Sequence, residues 1–242
     1  MNIQEFYLMY RLEDNHFWFL GKRFFVKTIL KGYFKKIKKI LDIGAGTGGM
    51  TKYMARYGKI TGIENNRLAR DLANKRGIKV LKGNANKLPF KNSQFDTVTL
   101  FDVLYHKNIK DEGKVIKEAY RVLKPNGLLL VTDSANKSLT SAHDIATQGK
   151  RRYSTSEMRQ IIESQNFKIL RSSYIFMTLF PIVFMKRLFL DKITNSKSSD
   201  VSPLPKAINS FMLRLLKIES LVFNHFNLPF GTSVIVLAQK RP

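Results

Sequence analysis

The segment Lys39-Ile40-Leu41-Asp42-Ile43-Gly44-Ala45-Gly46-Thr47-Gly48-Gly49-Met50 constrains this chain more than any other. A short apolar run stops in glycines at alternate positions, and a helical pattern follows from Thr51. Ile40 to Ile43 read as a buried strand. Gly44, Gly46 and Gly48 read either as a turn where backbone meets a ligand or as an unrelated tight turn. Strand, turn and helix together make the first βα unit of an open parallel sheet.

The spacing narrows the ligand. A dinucleotide fingerprint runs G-x-G-x-x-G beneath an anionic pyrophosphate. Here the order is Asp42-x-Gly44-x-Gly46-x-Gly48. Asp42 would repel a pyrophosphate but attract the α-ammonium of a methionine moiety. In this form the loop resembles the first motif of the class I S-adenosylmethionine (SAM) dependent methyltransferases. That resemblance implies SAM as cofactor and S-adenosylhomocysteine as product, with contacts from Asp42, Gly44, Ala45 and Gly46.

Further signals follow in the same order as in that family. Lys59 to Glu64 is a second strand closing on an acid about 20 residues after the glycines, where a carboxylate accepts ribose hydroxyls. Glu64 and Asn65 are the candidates there. Gly83-Asn84-Ala85-Asn86-Lys87-Leu88-Pro89-Phe90 resembles the family's G-D-A-x-x-L-P-F loop, whose acid receives the adenine amino group. Asn84 replaces that acid, with Ala85 beside it; its carbonyl can accept the same bond, but its NH₂ cannot supply a second acceptor. Gln94 to Phe101 reads as a buried strand with Asp102 and His106 beyond its carboxyl end, where ligands of open α/β sheets lie. Phe101, Asp102 and His106 are therefore expected near the cofactor's reactive end. A helix from Asp111 to Leu123, a turn at Lys124-Pro125-Asn126-Gly127 and a strand from Leu128 extend the resemblance to about residue 135.

The expected fold is α/β: a Rossmann-like, seven-stranded, mostly parallel sheet with an antiparallel last strand and a helical insertion between strands six and seven. At 242 residues and 44% hydrophobic, the chain is large enough for one such domain. Residues 1–38 are expected as a helical cap over the cofactor and 39–173 as the SAM-binding core. Residues 174–226 would be the insertion, and 227–242 would hold the last strand.

Phe6 to Leu20 reads as a helical segment dense in aromatics. With Arg23 it resembles the E-x-x-HWWF-x-x-R opening of a bacterial and archaeal methyltransferase group, Phe17 replacing the first tryptophan. The resemblance implies a segment folded over the cofactor, with Trp18 in the site and Arg23 meeting the methionine carboxylate. Phe6, Tyr10 and Phe19 fit core-facing positions, and His16 stays with the functional candidates. Gly21 to Lys39 holds Lys and Arg without one acid, interleaved with apolar residues at helical spacing. This reads as an amphipathic basic helix leading into the first strand.

The acceptor end is less familiar. His143-Asp144 precedes Arg151-Arg152-Tyr153-Ser154, with Ser154 and Glu157 forming a capping box. This arrangement also resembles the group with the HWWF opening, although Gly149 or Lys150 stands where that group implies a further histidine. Arg151 and Arg152 are candidates to bind a phosphate or carboxylate on the acceptor, with Tyr153 beside them, and surface charge is the alternative for the arginines. Methyl transfer from a sulfonium is a direct displacement, so the protein aligns the partners and removes a proton. His143 and His106 are the candidate bases, since imidazole titrates near neutral pH. A structural or surface role is the alternative for each.

Net charge is +24, from 42 Lys and Arg against 18 Asp and Glu. An anionic partner follows, or simply a soluble basic protein. Nucleic acid ranks low among such partners, because Phe101-Asp102-Val103-Leu104 stands where an N-P-P-Y-type tetrapeptide would, and no RNA-binding module adjoins it. The expected acceptor is an oxygen on a small molecule, sugar or lipid-linked glycan. RNA methylation and non-catalytic SAM binding are the alternatives. With no cysteine and four scattered histidines, neither a disulfide nor a metal site is expected. Met1 to Glu5 lacks a basic n-region, so no signal peptide is expected and the cytoplasm is the expected compartment. Tyr174 to Met185 is shorter than the roughly 20 residues of a membrane span. Apolar helices expected over Tyr174 to Leu190 and Ala207 to Phe223, rimmed by Lys and Arg, fit a lid, a homodimer interface or an element on an anionic membrane surface. The last of these would make the protein peripheral at the inner membrane face.

Overall fold

Ile40 to Ile43, Val98 to Phe101 and Leu128 to Val131 are apolar nearly end to end, the pattern of strands covered on both faces. The computed structural model, which describes residues 3–140, 144, 147–187 and 202–242, places them at the centre of a seven-stranded sheet. The strands are β1 (Lys39–Ile43), β2 (Lys59–Glu64), β3 (Val80–Lys82), β4 (Phe95–Phe101), β5 (Leu123–Ser134), β6 (Phe167–Ile175) and β7 (Ser233–Lys240). Their spatial order is β3-β2-β1-β4-β5-β7-β6. The first five pair in parallel, and β7 runs antiparallel to both β5 and β6. The expected sheet is the one observed.

Helices cover both faces. On one, α5 (Glu112–Val122) and α6 (Thr155–Glu163) bury Val115, Ile116, Ala119, Met158 and Ile162 against Leu41, Val98 and Leu129. On the other, α2 (Phe17–Leu30), α3 (Gly49–Met54) and α8 (Lys206–His225) bury Phe25, Ile29, Met54, Leu216 and Phe223 against Ile40 and Leu130. α1 (Ile3–Leu12) packs Phe6 on Ala69 and Leu72 of α4 (Arg67–Lys75).

Several elements differ from expectation. The aromatic N-terminal segment is two helices rather than one. Asp14 and Asn15 are poor helix formers, and His16 turns extended at φ −81°, ψ 138° so that its Nδ1 accepts from Trp18 N–H and caps α2. The basic helix ends at Leu30, followed by a 3₁₀ turn over Phe34–Lys36. The turn expected at Lys124 to Gly127 is instead part of β5, which pairs from Phe95↔Leu123 with a register shift, Asn126 adopting φ 61°. Tyr174 belongs to β6, paired with Val234, so the insertion begins after Ile175.

The insertion holds α7 (Phe180–Met185) and α8; residues 188–201 lie outside the described ones. Glu219 of α8 is buried, and its carboxylate accepts from the Met177 and Thr178 amides at 2.8 and 2.9 Å and from Thr178 Oγ1 at 2.6 Å. A buried carboxylate with three donors is satisfied, and it fixes the chain leaving β6 onto α8. At the other end, Asn209 Oδ1 accepts from Phe17 N–H at 2.7 Å, while Nδ2 donates to the Asn15 carbonyl at 2.8 Å. The N-terminal cap and the insertion are thereby tied together. Gly21 permits the close α2–α8 approach, since a Cβ there would sit 2.3 Å from Leu216 Cδ1.

Candidate functional site

Sheet register gathers the sequence candidates at one edge. Ile43 pairs with Ile63 on one side and Leu100 on the other, so β1, β2 and β4 end level. The loops after these strands, and Gly83 to Asn86 after β3, meet at the carboxyl edge beside the point where strand order reverses. They line a cavity of about 1080 Å³, roofed by α1, α2 and the insertion.

The glycine loop folds back over β2: the Gly44 and Ala45 amides both donate to the Ile63 carbonyl at 2.9 Å. Gly44 (φ 73°) and Gly46 (φ 54°) are left-handed, and a Cβ on Gly44 would strike Val103 at 2.6 Å. Beside Gly46 nothing lies within 4 Å of where a Cβ would be, so its backbone borders open cavity. Glu64 stands across this opening, Oε2 accepting from Gly46 N–H at 3.2 Å and Oε1 from Asn66 N–H at 2.8 Å. Each carboxylate oxygen keeps a lone pair for a diol. Asn65 lines the cavity too, its carbonyl held by Arg70 at 2.7 Å.

Asp42 is buried between two hydroxyls, Thr99 Oγ1 on Oδ1 and Thr51 Oγ1 on Oδ2, each at 2.6 Å. Burial pushes its pKa up to about 6 against these bonds. Asn84 and Ala85 line the cavity, but the Asn84 carbonyl already accepts from Asn86 N–H at 2.9 Å. Phe101 and Asp102 line it at the end of β4, Asp102 left-handed at φ 56°.

Asp102 pairs with Lys22, a lysine 1% exposed on α2. Here the structure departs from the expectation for Arg23, which points out of the cavity. Its Nη2 donates to the Glu13 carbonyl at 2.8 Å, and its guanidinium lies 5.5 Å from the Tyr53 ring. Residues 21, 22, 25, 26 and 29 form the buried stripe of α2, so Lys22 faces in and Arg23 is turned about 100° away. Trp18 does line the cavity, its ring tilted 31° against that of Phe176 with centroids 4.6 Å apart.

Glu13, the acid that opens the N-terminal E-x-x-HWWF-like motif, and Arg76, which the sequence reading passed over, hold the cap on the glycine loop. Arg76, on the turn ending α4, donates to the Thr47 carbonyl (3.0 Å), the Tyr10 carbonyl (2.7 Å) and Glu13 (3.0 Å), and pairs with Asp14. Glu13 also accepts from Thr47 Oγ1 at 2.5 Å; burial pushes its pKa up to about 6. The motif marks Glu13 but not its partner: Arg76 has no local sequence signal, because the pairing spans more than sixty residues.

On the acceptor side the structure separates the candidates. His106 lines the cavity, and burial lowers its pKa to about 4, so the ring is neutral at physiological pH. Its Nδ1 accepts from Asn108 N–H at 3.2 Å, which leaves the proton on Nε2. In this arrangement Nε2 is a hydrogen-bond donor and not a base. His143 lies outside the described residues. Arg152 reaches the cavity, its guanidinium held by both oxygens of Asp144 (2.8 and 3.1 Å) and by the Ala135 carbonyl. Arg151 and Tyr153 line a separate hollow of about 690 Å³, Arg151 paired with Glu112, and Tyr153 donating to the Leu104 carbonyl at 3.0 Å. Leu179, Ile182, Val183, Leu204, Ile208 and Met212 of the insertion give the remaining wall an apolar surface, which Lys186, Arg187, Ser202 and Thr232 interrupt with polar groups. Among the described residues, no three His, Asp or Glu side chains cluster to hold a metal ion.

Residues 41–131 match a family described as "Methyltransferase domain". The demethylmenaquinone methyltransferase of Lactobacillus johnsonii is 35% identical over 122 residues, 43% of this chain and 49% of that protein. The chain thus spans about half the length, or less, of the curated relatives first matched. Among solved structures, a SAM-dependent methyltransferase of Methanosarcina mazei superposes with TM-score 0.56 at 18% identity, covering 88% of this chain and 97% of that one. Phosphoethanolamine N-methyltransferase 2 of Haemonchus contortus, solved in complex with SAM, gives TM-score 0.57 at 19% identity, over 85% of this chain and 49% of that one. At these identities the structural matches speak for the fold.

Proposed function

Because residues 41–131 match a methyltransferase-domain family, we propose that the protein transfers a methyl group from SAM to an oxygen of a small-molecule, sugar or lipid-linked glycan acceptor. The observation that carries the reading is the open cradle at Gly46 facing the two carboxylate oxygens of Glu64, on the carboxyl edge of β1, β2 and β4. Glu64 would take the ribose hydroxyls, the loop from Gly44 to Gly46 and Asp42 the methionine moiety, and Asn84 to Asn86 the base. When bound, SAM supplies an electrophilic methyl group on a sulfonium. The chain's own contribution is alignment and exclusion of water by Trp18, Phe17 and the insertion. His106 would hold the acceptor oxygen through Nε2–H. We assign proton removal to His143, next in sequence to Asp144, whose carboxylate Arg152 fixes.

The test is calorimetric titration of SAM into wild type and Glu64→Ala. Losing a charge-assisted pair of bonds should weaken binding about 10- to 100-fold. Unchanged affinity would overturn the site. Methyl-labelled SAM with a lysate then locates the acceptor: label in the organic-extractable or small polar fraction fits the reading, and label in RNA rejects it.

A further inference from the structure

We propose that the insertion docks on an anionic lipid bilayer through the outward face of α8, and that the cavity opens against that bilayer. On α8, Ile208, Phe211, Leu215, Ile218 and Val222 recur at alternating spacings of three and four, within roughly 80° of the helix circumference. This is not the face packed on the core, which carries Leu216, Glu219, Ser220 and Phe223. Four of its five residues stand in solvent, Phe211 at 58% exposed, Ile218 at 60%, Ile208 and Val222 at 45%, while Leu215 between them is half-buried. Leu221 beside it and Ile182 of α7 are as exposed, so the apolar surface exceeds isolated side chains.

Charge selects the occupant. Arg214 borders the stripe, Lys217 lies further round the helix on the same side, and Lys206 opens the helix, all three exposed. The one acid on α8, Glu219, is buried and saturated by Met177 and Thr178. A second copy pressed against this face would meet cations with no carboxylate of its own to answer them, at a net charge of +24 on each chain. An anionic headgroup layer answers the cations, and its acyl boundary accepts the aliphatic stripe. No helix among the described residues is long and apolar enough to cross the membrane, so α8 would lie in the plane of the interface.

The surface is continuous with the cavity. Ile182 and Ile208 line the cavity and are also 50% and 45% exposed, so its apolar wall runs out onto the docking face between α7 and α8. A hydrocarbon chain could pass from the bilayer into that wall without crossing water. This second half rests on the reading of the cavity as a methyl-transfer site; the docking does not.

Co-sedimentation with phosphatidylcholine vesicles, with and without about one quarter phosphatidylglycerol, tests the docking. The same proteins are titrated with SAM, reported by the fluorescence of Trp18, the sole tryptophan. Wild type should bind the anionic vesicles and not the neutral ones. Phe211→Asp/Ile218→Asp and Arg214→Glu/Lys217→Glu should each lose about tenfold or more of that binding while keeping SAM affinity, since none of the four residues lines the cavity. No wild-type binding, binding indifferent to phosphatidylglycerol, or variants that bind as well as wild type would overturn the proposal. So would a wild-type dimer that ignores vesicles and that Phe211→Asp/Ile218→Asp dissolves in light scattering. Vesicle binding without SAM binding would leave the docking intact and remove only its link to methyl transfer.

Discussion

At the scale of single residues, helix phase decides which cation serves the site. Arg23 is the residue that the N-terminal resemblance implies, yet its guanidinium is spent on the Glu13 carbonyl and Tyr53, while Lys22 reaches Asp102 inside the cavity. Lys22→Ala should therefore weaken SAM binding about tenfold or more, and Arg23→Ala should change it by less than about threefold; calorimetry separates the two. The opposite ranking would return Arg23 to the site. The buried stripe Phe25, Val26, Ile29 and Leu30 is readable in the sequence, and carried back one turn it includes Lys22. A motif aligned by letters does not carry that phase. Glu64, Gly44 and Gly46 were legible because each is fixed by its own strand end. Arg76, and the pairing of motif residue Glu13 with it, were not, because that contact spans sixty-three positions.

At the scale of elements, the strands were legible and the helix boundaries less so. Continuous apolar runs announce doubly covered strands, whereas the break between α1 and α2 depends on His16 capping and on Asn209 reaching from a helix nearly two hundred residues away. The same long-range packing makes Gly21 a critical position. A methyl group there meets the fully buried Leu216, and overpacking of about 1–3 kcal/mol outweighs the helix propensity gained over glycine, about 1 kcal/mol. Gly21→Ala should lower the melting temperature by roughly 3–6 °C in a thermal scan. An unchanged or higher value would mean that α8 can shift away from α2 at no cost.

At the scale of the whole molecule, three buried carboxyls set a pH dependence. Burial raises Glu13 and Asp42 to about 6, and burial together with Asp102 raises Asp133 to about 8, although the Asp133 carboxylate accepts from the Leu104, Tyr105 and Ser134 amides. Their folded values lie above their unfolded ones, so the folded state holds the extra protons. Their contribution is complete below about pH 4 and is lost as pH climbs through 6 and then 8. Glu118 and Glu157 are lowered and act oppositely only around and below pH 4.5. His16 and His106, lowered by burial, act oppositely up to about pH 6.5 and offset part of the loss, which Asp133 dominates at higher pH. The melting temperature should fall by on the order of 5 °C between pH 5.5 and 8.5, and a rise over that interval would contradict the burial of these groups. The sheet order has a consequence for biosynthesis. β7 is translated after β6 and the whole insertion, yet it occupies the slot between β5 and β6. A nascent chain halted before residue 233 would thus carry two open strand edges with the apolar insertion already made, a state in which chaperones or a nearby bilayer would meet it before its own last strand does.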